Sequence, residues 1–540
     1  MTMKRRDFLN TAALTGVSLL GLRLGITPAH AQGRDDVIRI LLEDSPNTFD
    51  PSGTGYNPAS CNISWNVYDR LVTFGIKPVE GEEDAYIYDY SNIVGQAAES
   101  YEVSEDGSVI TFTMRDGATF HDGRPVTAHD AKWSLDRAIS LPTSKAQLST
   151  GSLTSPDQFE VVDDMTFRIT LPQADRFTLP NLCILFPAIF NSELAKEHAT
   201  DADPWAEEWL KNNEAGGGPF TVSRYVADQQ FVLDRFEGWQ NGEVASQARI
   251  MAQIVPVASS RRASAERGEA DLIRELSGRD IKDMIDAGEP RVLGISNPAR
   301  MVAIALNSEM APFDNKLVRQ AVAYSVPYDE MFESVLYSRG TPLFGGSAET
   351  TEAVYPQPLP YTQDLEKAKA LLEEAGMADG FETTFTIDSS LGTTAEPIAI
   401  LMQEALGKIG ITVKIEKVPS AQMGQLQTER ALPMYIAVGG AWLADPDYFF
   451  RIFYNSDRRW NYGNYQNEEM TTLVDETRFE TDEEVYKAKV IRMIELAKED
   501  VPLITLWSPF QDTVLSDAIH GYEYMFHGQL ELRPLNKASA

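Results

Sequence analysis

Cysteine is nearly absent from this chain. The two that occur, Cys61 and Cys183, sit in apolar settings, Ser60-Cys61-Asn62 and Leu182-Cys183-Ile184. Two cysteines make no disulfide framework, and free cysteine is commonly buried, so buried thiols are expected. A single Cys61–Cys183 bridge stays open if the compartment is oxidising. Metal-site patterns are missing as well. There is no CxxC, HExxH or EF-hand run, and His121, His129, His198, His520 and His527 form no ligand cluster with a Cys or carboxylate at metal spacing. No G-x-S-x-G nucleophile motif occurs. Asp163-Asp164 follows an alternating strand and reads as a turn rather than a catalytic pair. Basic residues are scarce, with 47 Lys and Arg against 80 Asp and Glu. Such a field repels nucleic acid and anionic membranes, favours solubility and weakly steers cationic ligands. Most of it reads as solvated surface.

Long apolar runs are missing too. The one mildly apolar stretch, Thr11–Ile26, is too short for a span of about 20 residues and is broken by Gly16, Gly21 and Arg23. It follows Lys4-Arg5-Arg6-Asp7-Phe8-Leu9, a twin-arginine motif, and precedes Ala29-His30-Ala31, an A-x-A cleavage site. Residues 1–31 therefore read as a twin-arginine signal peptide, and the exported chain starts at Gln32. The 509 residues that remain carry a net charge of −36. That length implies at least two domains with sizeable cores. The expectation is a periplasmic protein exported already folded, without membrane insertion.

The densest local signal runs from Ser100 to Ile139. Ile110, Phe112 and Met114 alternate with Thr111, Thr113 and Arg115, the period of a half-buried strand. Asp106-Gly107, Asp116-Gly117 and Asp122-Gly123 are turn pairs. Thr127 caps a helix whose third residue is Asp130 and whose buried stripe is Ala131, Leu135, Ala138 and Ile139. The string from Arg115 to Asp130 also matches R-x-G-x-x-F-H-D-G-x-P-x-T-A-x-D. In this it resembles the family 5 extracellular solute-binding proteins of ABC importers, the group containing the dipeptide and oligopeptide binders.

Further segments resemble the same family in the same order. They are Gly216-Gly217-Gly218-Pro219-Phe220 with Glu237-Gly238-Trp239, Ala265–Leu272, Pro312–Ala321 followed by Tyr324–Asp329, and Lys367–Gly376. Strands are expected at Val37–Leu42, Thr221–Tyr225, Phe231–Arg235, Val302–Asn307 and Thr412–Glu416. Helices are expected at Ile63–Thr73 and Ile398–Gly407. The resemblance implies an α/β, bilobal periplasmic-binding-protein fold of type II, with an extra subdomain in the first lobe and a ligand cleft between the lobes. The implied division is 32–55, 216–298 and 509–540 in lobe I, 56–215 as its extra subdomain, and 299–508 as lobe II. It also implies no catalysis and no cofactor. The expected partners are a peptide or other small solute and an ABC permease with its ATPase, and the expected state is a monomer.

Two loops are candidates for the ligand. Gly53, Thr54 and Tyr56 lie in Ser52–Asn57, which resembles a family loop that meets peptide backbone. Gly440, Ala441, Trp442, Asp445 and Asp447 lie in Val438–Phe450. In the peptide-binding branch an acid at the position of Asp445 pairs with the ligand ammonium, and Asp447 is the substitute. The spacing to Asp445-Pro446-Asp447 is compressed here, so Asp445 equally fits a structural slot before Pro446. Trp442 either stacks on ligand or packs in the core. The family's arginine for a ligand carboxylate has no counterpart in Ile387–Thr394. This weakens a dipeptide ligand and leaves oligopeptides, amino-sugar or opine-like compounds, oligosaccharides and chelated metals open.

Overall fold

One strand organises the molecule. In this computed structural model, which describes residues 37–538 apart from 54, 289, 298, 456–459 and 526–527, the strand Leu503–Leu515 is 13 residues long. That gives a reach of about 40 Å. Its first half pairs antiparallel with Arg300–Leu306 and Gly340–Pro342; its second half pairs antiparallel with Arg291–Ser296 and Leu272–Arg274. Sheet order then runs outward through Met434–Gly440, Glu382–Asp388 and Thr412–Val418 on one side. On the other it runs through Val37–Leu42, Arg249–Ile254, Gln230–Arg235 and Phe220–Val226. The result is two lobes on one sheet path, joined where Leu503–Leu515 changes partners and where Ser296 leads to Arg300. The central strand Arg300–Leu306 is buried from Met301 onward, the near-continuous apolar run of a strand covered on both faces.

One buried cluster runs through both lobes, from Ile38 and Phe186 to Ala303 and Phe449, and a second lies wholly within the second lobe. Helices Lys316–Ser325, Leu365–Glu374 and Gly392–Gly407 pack their apolar faces on the sheet of the second lobe. A four-stranded antiparallel sheet, in the order Ala98–Val103, Val109–Met114, Thr166–Thr170, Phe159–Asp163, forms a separate layer beside the first. The helix Ala128–Ser140 covers it with Ala131, Leu135, Ala138 and Ile139, all buried, and begins with the Thr127/Asp130 capping box. The C-terminal segment returns to the first lobe: Tyr522–Tyr524 pairs in parallel with Ala85–Gly95. Cys61 and Cys183 are separate buried thiols. The leader read at residues 1–31 lies outside the described residues.

One expected element differs. The helix read at Ile63–Thr73 instead spans Pro58–Val67, with Pro58 in its first turn and Asn57 as its cap. Leu71 lies beyond it, and Val72 opens the strand Val72–Pro78. The cause is tertiary. The Val67 carbonyl, which a longer helix would use internally, accepts from the Gly218 N–H at 2.8 Å. A side chain at Gly218 would collide with the Val67 backbone there.

Candidate functional site

The first candidate loop is anchored by a buried ion pair. Arg137 is fully buried and faces Asp50 with both terminal nitrogens, at 3.0 and 2.5 Å. The Asp50 carboxylate also accepts from the Ser52 N–H at 3.0 Å, and the Ser52 hydroxyl donates to the Phe186 carbonyl at 3.0 Å. Gly53 is packed so that a Cβ would stand 3.0 Å from an Asp50 oxygen, and Gly55 holds φ at +79°. Gly55 requires glycine for backbone reasons, while Gly53 leaves room for the Asp50 side chain. Gly53 also borders an open cavity of about 480 Å³ lined by Asp203, Glu207, Glu208 and Lys211 on the outer side of the loop. Thr54 lies outside the described residues.

Tyr56 projects from this loop against Phe186, ring centres 5.7 Å apart and edge-on. Trp442, from the other lobe, also meets Phe186, ring centres 4.9 Å apart and edge-on. The structure therefore joins Tyr56 and Trp442 through an aromatic residue that sequence reasoning passed over. Phe186 sits in the apolar run Leu182–Phe190, where nothing in the pattern separates a cleft residue from a core residue. Edge-to-face aromatic contacts of this kind suit a wall that excludes water. Trp442 is held by its neighbours: the Ala441 N–H donates to the Ala299 carbonyl at 2.8 Å, and Gly440 stands opposite Arg300 in the sheet. Along Met434–Gly440 the strand Glu382–Asp388 pairs only with Met434 and Tyr435. Among the described residues, the edge from Ile436 to Gly440 away from Arg300–Leu306 has no strand partner.

The acids lie elsewhere. Asp445 is the cap of the helix Pro446–Phe453, accepting from the Asp447 N–H at 2.9 Å and from the Tyr486 hydroxyl at 2.6 Å. Its second oxygen is 3.7 Å from Arg176, whose guanidinium lies 3.3 Å over the Tyr486 ring. Burial pushes the Asp445 carboxyl up, while the Arg176 charge and the Tyr486 hydroxyl draw it back. Asp447 is fully buried against Arg451 at 3.0 Å. Burial raises this carboxyl too, against the pull of Arg451. Asp445 thus occupies the structural slot before Pro446, and in this arrangement its partner is a guanidinium of the facing lobe.

Arg176 belongs to a row of bridging contacts. Its neighbour Asp175 receives Arg478 at 2.7 and 2.9 Å, and Phe177 stands edge-on to Tyr448 at 5.9 Å. The Tyr448 hydroxyl donates to Gln147 at 2.7 Å. Three consecutive residues of one lobe thus grip the other, at a distance along the chain from the shared strand. No group of three or more metal-ligating side chains occurs among the described residues, and no described helix is long and apolar enough to cross a membrane. His121 binds Glu214 and the Gly218 carbonyl, as a scaffold residue would.

Two lobes on a shared strand, an aromatic wall between them and side-chain contacts that bridge them make up a bilobal periplasmic binding protein. The chain belongs to the bacterial extracellular solute-binding proteins, family 5, whose model for the middle region matches residues 92–461. It is similar to heme-binding protein A of Haemophilus influenzae, with 30% identity over 88% of this chain and 88% of that one. It is also similar to the dipeptide-binding protein of Escherichia coli K12, with 27% identity over 89% of this chain and 91% of that one. Among solved structures, the dipeptide-binding protein of Pseudoalteromonas sp. SM9913 in complex with Met-Leu superposes with a TM-score of 0.74 at 23% identity, covering 93% of this chain and all of that one. The family is one of solute binders.

Proposed function

We propose that the protein is the periplasmic capture component of an ABC importer, and that its cargo is a peptide or a peptide-like solute. It carries no catalytic role in this reading. The single observation that carries it is the meeting of Tyr56, Phe186 and Trp442, which brings one loop from each lobe onto a common wall. Pockets at domain interfaces are the usual place for a small ligand. The unpartnered edge Ile436–Gly440 adds a reason to favour peptides, because an extended backbone can hydrogen-bond to a free strand edge. The hinge falls at Ser296–Arg300 and Ser508–Phe510, so residues 299–508 move as lobe II. Solute favours the closed form only through contacts it makes with both lobes at once. The closed form then docks on a membrane permease driven by an ATPase. Export through the twin-arginine leader and a monomeric state belong to the same reading. Gly53, Thr54, Tyr56, Gly440, Ala441 and Trp442 line or shape the site, and Asp445 and Asp447 serve closure and helix packing.

The test is native mass spectrometry of gently purified protein, followed by denaturation and identification of what is released. A mixture of short peptides supports the proposal. Release of one non-peptide compound, such as a sugar or a metal chelate, retains the capture class and removes the peptide cargo.

A further inference from the structure

Where Leu503–Leu515 passes from one lobe to the other, polar side-chain atoms collect that have no hydrogen-bond partner among the described residues. The Tyr524 hydroxyl, the Asn297 amide nitrogen, the Gln511 amide oxygen and both ends of the Gln529 amide are buried and unbonded among the described residues. A buried polar atom left this way is costly unless something else meets it. Two cations stand at the same place. Arg274, on Leu272–Arg274 of lobe I, is 8% exposed. Its guanidinium donates to the Gly528 carbonyl at 2.5 Å and meets no carboxylate among the described residues. A Cβ on Gly528 would touch both Gln511 and Arg274, so these two converge on one spot. Arg300 opens the central strand of lobe II, is exposed and forms no ion pair among the described residues. The Ser508 hydroxyl ties its carbonyl to that of Asn297, at 2.6 Å each. The charges of both arginines act on the Tyr524 hydroxyl.

Other arginines, such as Arg115 and Arg291, also lack an ion pair among the described residues; Arg274 and Arg300 differ in that both act on the same unbonded hydroxyl, that of Tyr524. Planar guanidinium forks match a carboxylate. We infer that Arg300 of lobe II and Arg274 of lobe I form an anion clamp at the hinge, which closes on a carboxylate of the captured solute while Asn297, Gln511, Tyr524 and Gln529 supply neutral hydrogen bonds. The inference rests on the capture function proposed above and specifies the chemistry of the cargo: an acidic solute, with its charge directed to the hinge.

The test compares wild-type protein with Arg300→Gln and Arg300→Lys, chosen because Arg300 is exposed and its replacement leaves the core intact. Thermal shift, then calorimetric titration, would use a tripeptide library with free carboxyl termini, the same library amidated, and the non-peptide carboxylates glutarate, gluconate and citrate. The expected result is tenfold or greater weakening of the best carboxylate probe by Arg300→Gln, partial recovery in Arg300→Lys, and amidated peptides that do not distinguish the proteins. If only non-peptide carboxylates bind, and Arg300→Gln weakens them, the clamp stands and the peptide cargo fails. If peptides bind wild type and Arg300→Gln equally, the peptide cargo stands and the clamp is overturned. The clamp is also overturned if amidated peptides bind as well as free ones, or if no carboxylate stabilises the wild type.

Discussion

Replacing Arg478 with alanine should weaken solute capture without touching the solute. Asp175 has a side chain with no exposed surface, and Arg478 supplies two of its hydrogen bonds, at 2.7 and 2.9 Å. The remainder come from the Ser152 hydroxyl at 2.6 Å and the Phe177 N–H at 3.0 Å. In the closed form the variant leaves a carboxylate buried with only those two donors. Charge-assisted hydrogen bonds and broken buried pairs place this cost at about 2–3 kcal/mol. In an open form Asp175 meets water and the cost vanishes, so nearly all of it falls on the closing equilibrium. Apparent affinity scales with the fraction of protein able to close. At 1.4 kcal/mol per decade, Kd should rise about 30- to 150-fold. Calorimetric titration with the solute identified by mass spectrometry measures this, and Arg478→Lys should recover part of the loss. A Kd within twofold of wild type would refute the reasoning. A large loss of thermal stability in the solute-free protein would refute it differently, by making the pair part of the scaffold.

Three other outcomes are expected. Asp50→Ala should cost about 3–5 kcal/mol in urea unfolding, because it strands the fully buried Arg137; replacing both residues with leucine should cost less than either single change, and a strictly additive result would contradict this. Asp445→Asn keeps the helix cap but removes the charge facing Arg176, so affinity should fall about fivefold, as expected for about 1 kcal/mol, equally for neutral and cationic solutes; a loss confined to cationic solutes would instead make Asp445 the ammonium partner. Asp69 is buried, accepts from Trp239 and Asn241, and has its carboxyl pushed up to about 6, chiefly by burial. The folded state therefore holds this proton more tightly than the unfolded chain, whose aspartates titrate near 3.9. The Asp69 contribution to stability is complete below pH ~4 and is lost as pH rises through about 6. Relative to wild type, Asp69→Asn should gain stability in urea melts as pH rises from ~4 to about 6, and a difference independent of pH would count against it.

Local chemistry made much of this fold legible. The capping box at Thr127, the alternating strand Val109–Met114 and the buried run after Arg300 each follow from residue order, because helix caps, strand periods and turn glycines act over a few residues. The family's motifs added their order along the chain. Where sequence reasoning misplaced a boundary, at Ile63–Thr73, a distant N–H from Gly218 had taken the carbonyl on which the next helical turn depends.

The site divides in the same way. Tyr56 and Trp442 were readable as pocket candidates because glycines and aromatics at strand ends have a local signature. Their junction through Phe186 was not, since an apolar run carries no mark of which residue faces another lobe. The acids were readable as acids only. Whether Asp445 meets a ligand or a protein group depends on which cation lies opposite, and Arg176 is 269 positions away in the sequence. The sequence by itself therefore determined the lobed α/β architecture, the acidic character and the candidate loops. Only the tertiary structure decided which charges are neutralised, at Asp175 and Asp445, and which meet no carboxylate among the described residues, at Arg274 and Arg300. Partnering of charges is set by distance in space, and the hinge brings together segments that the chain keeps far apart.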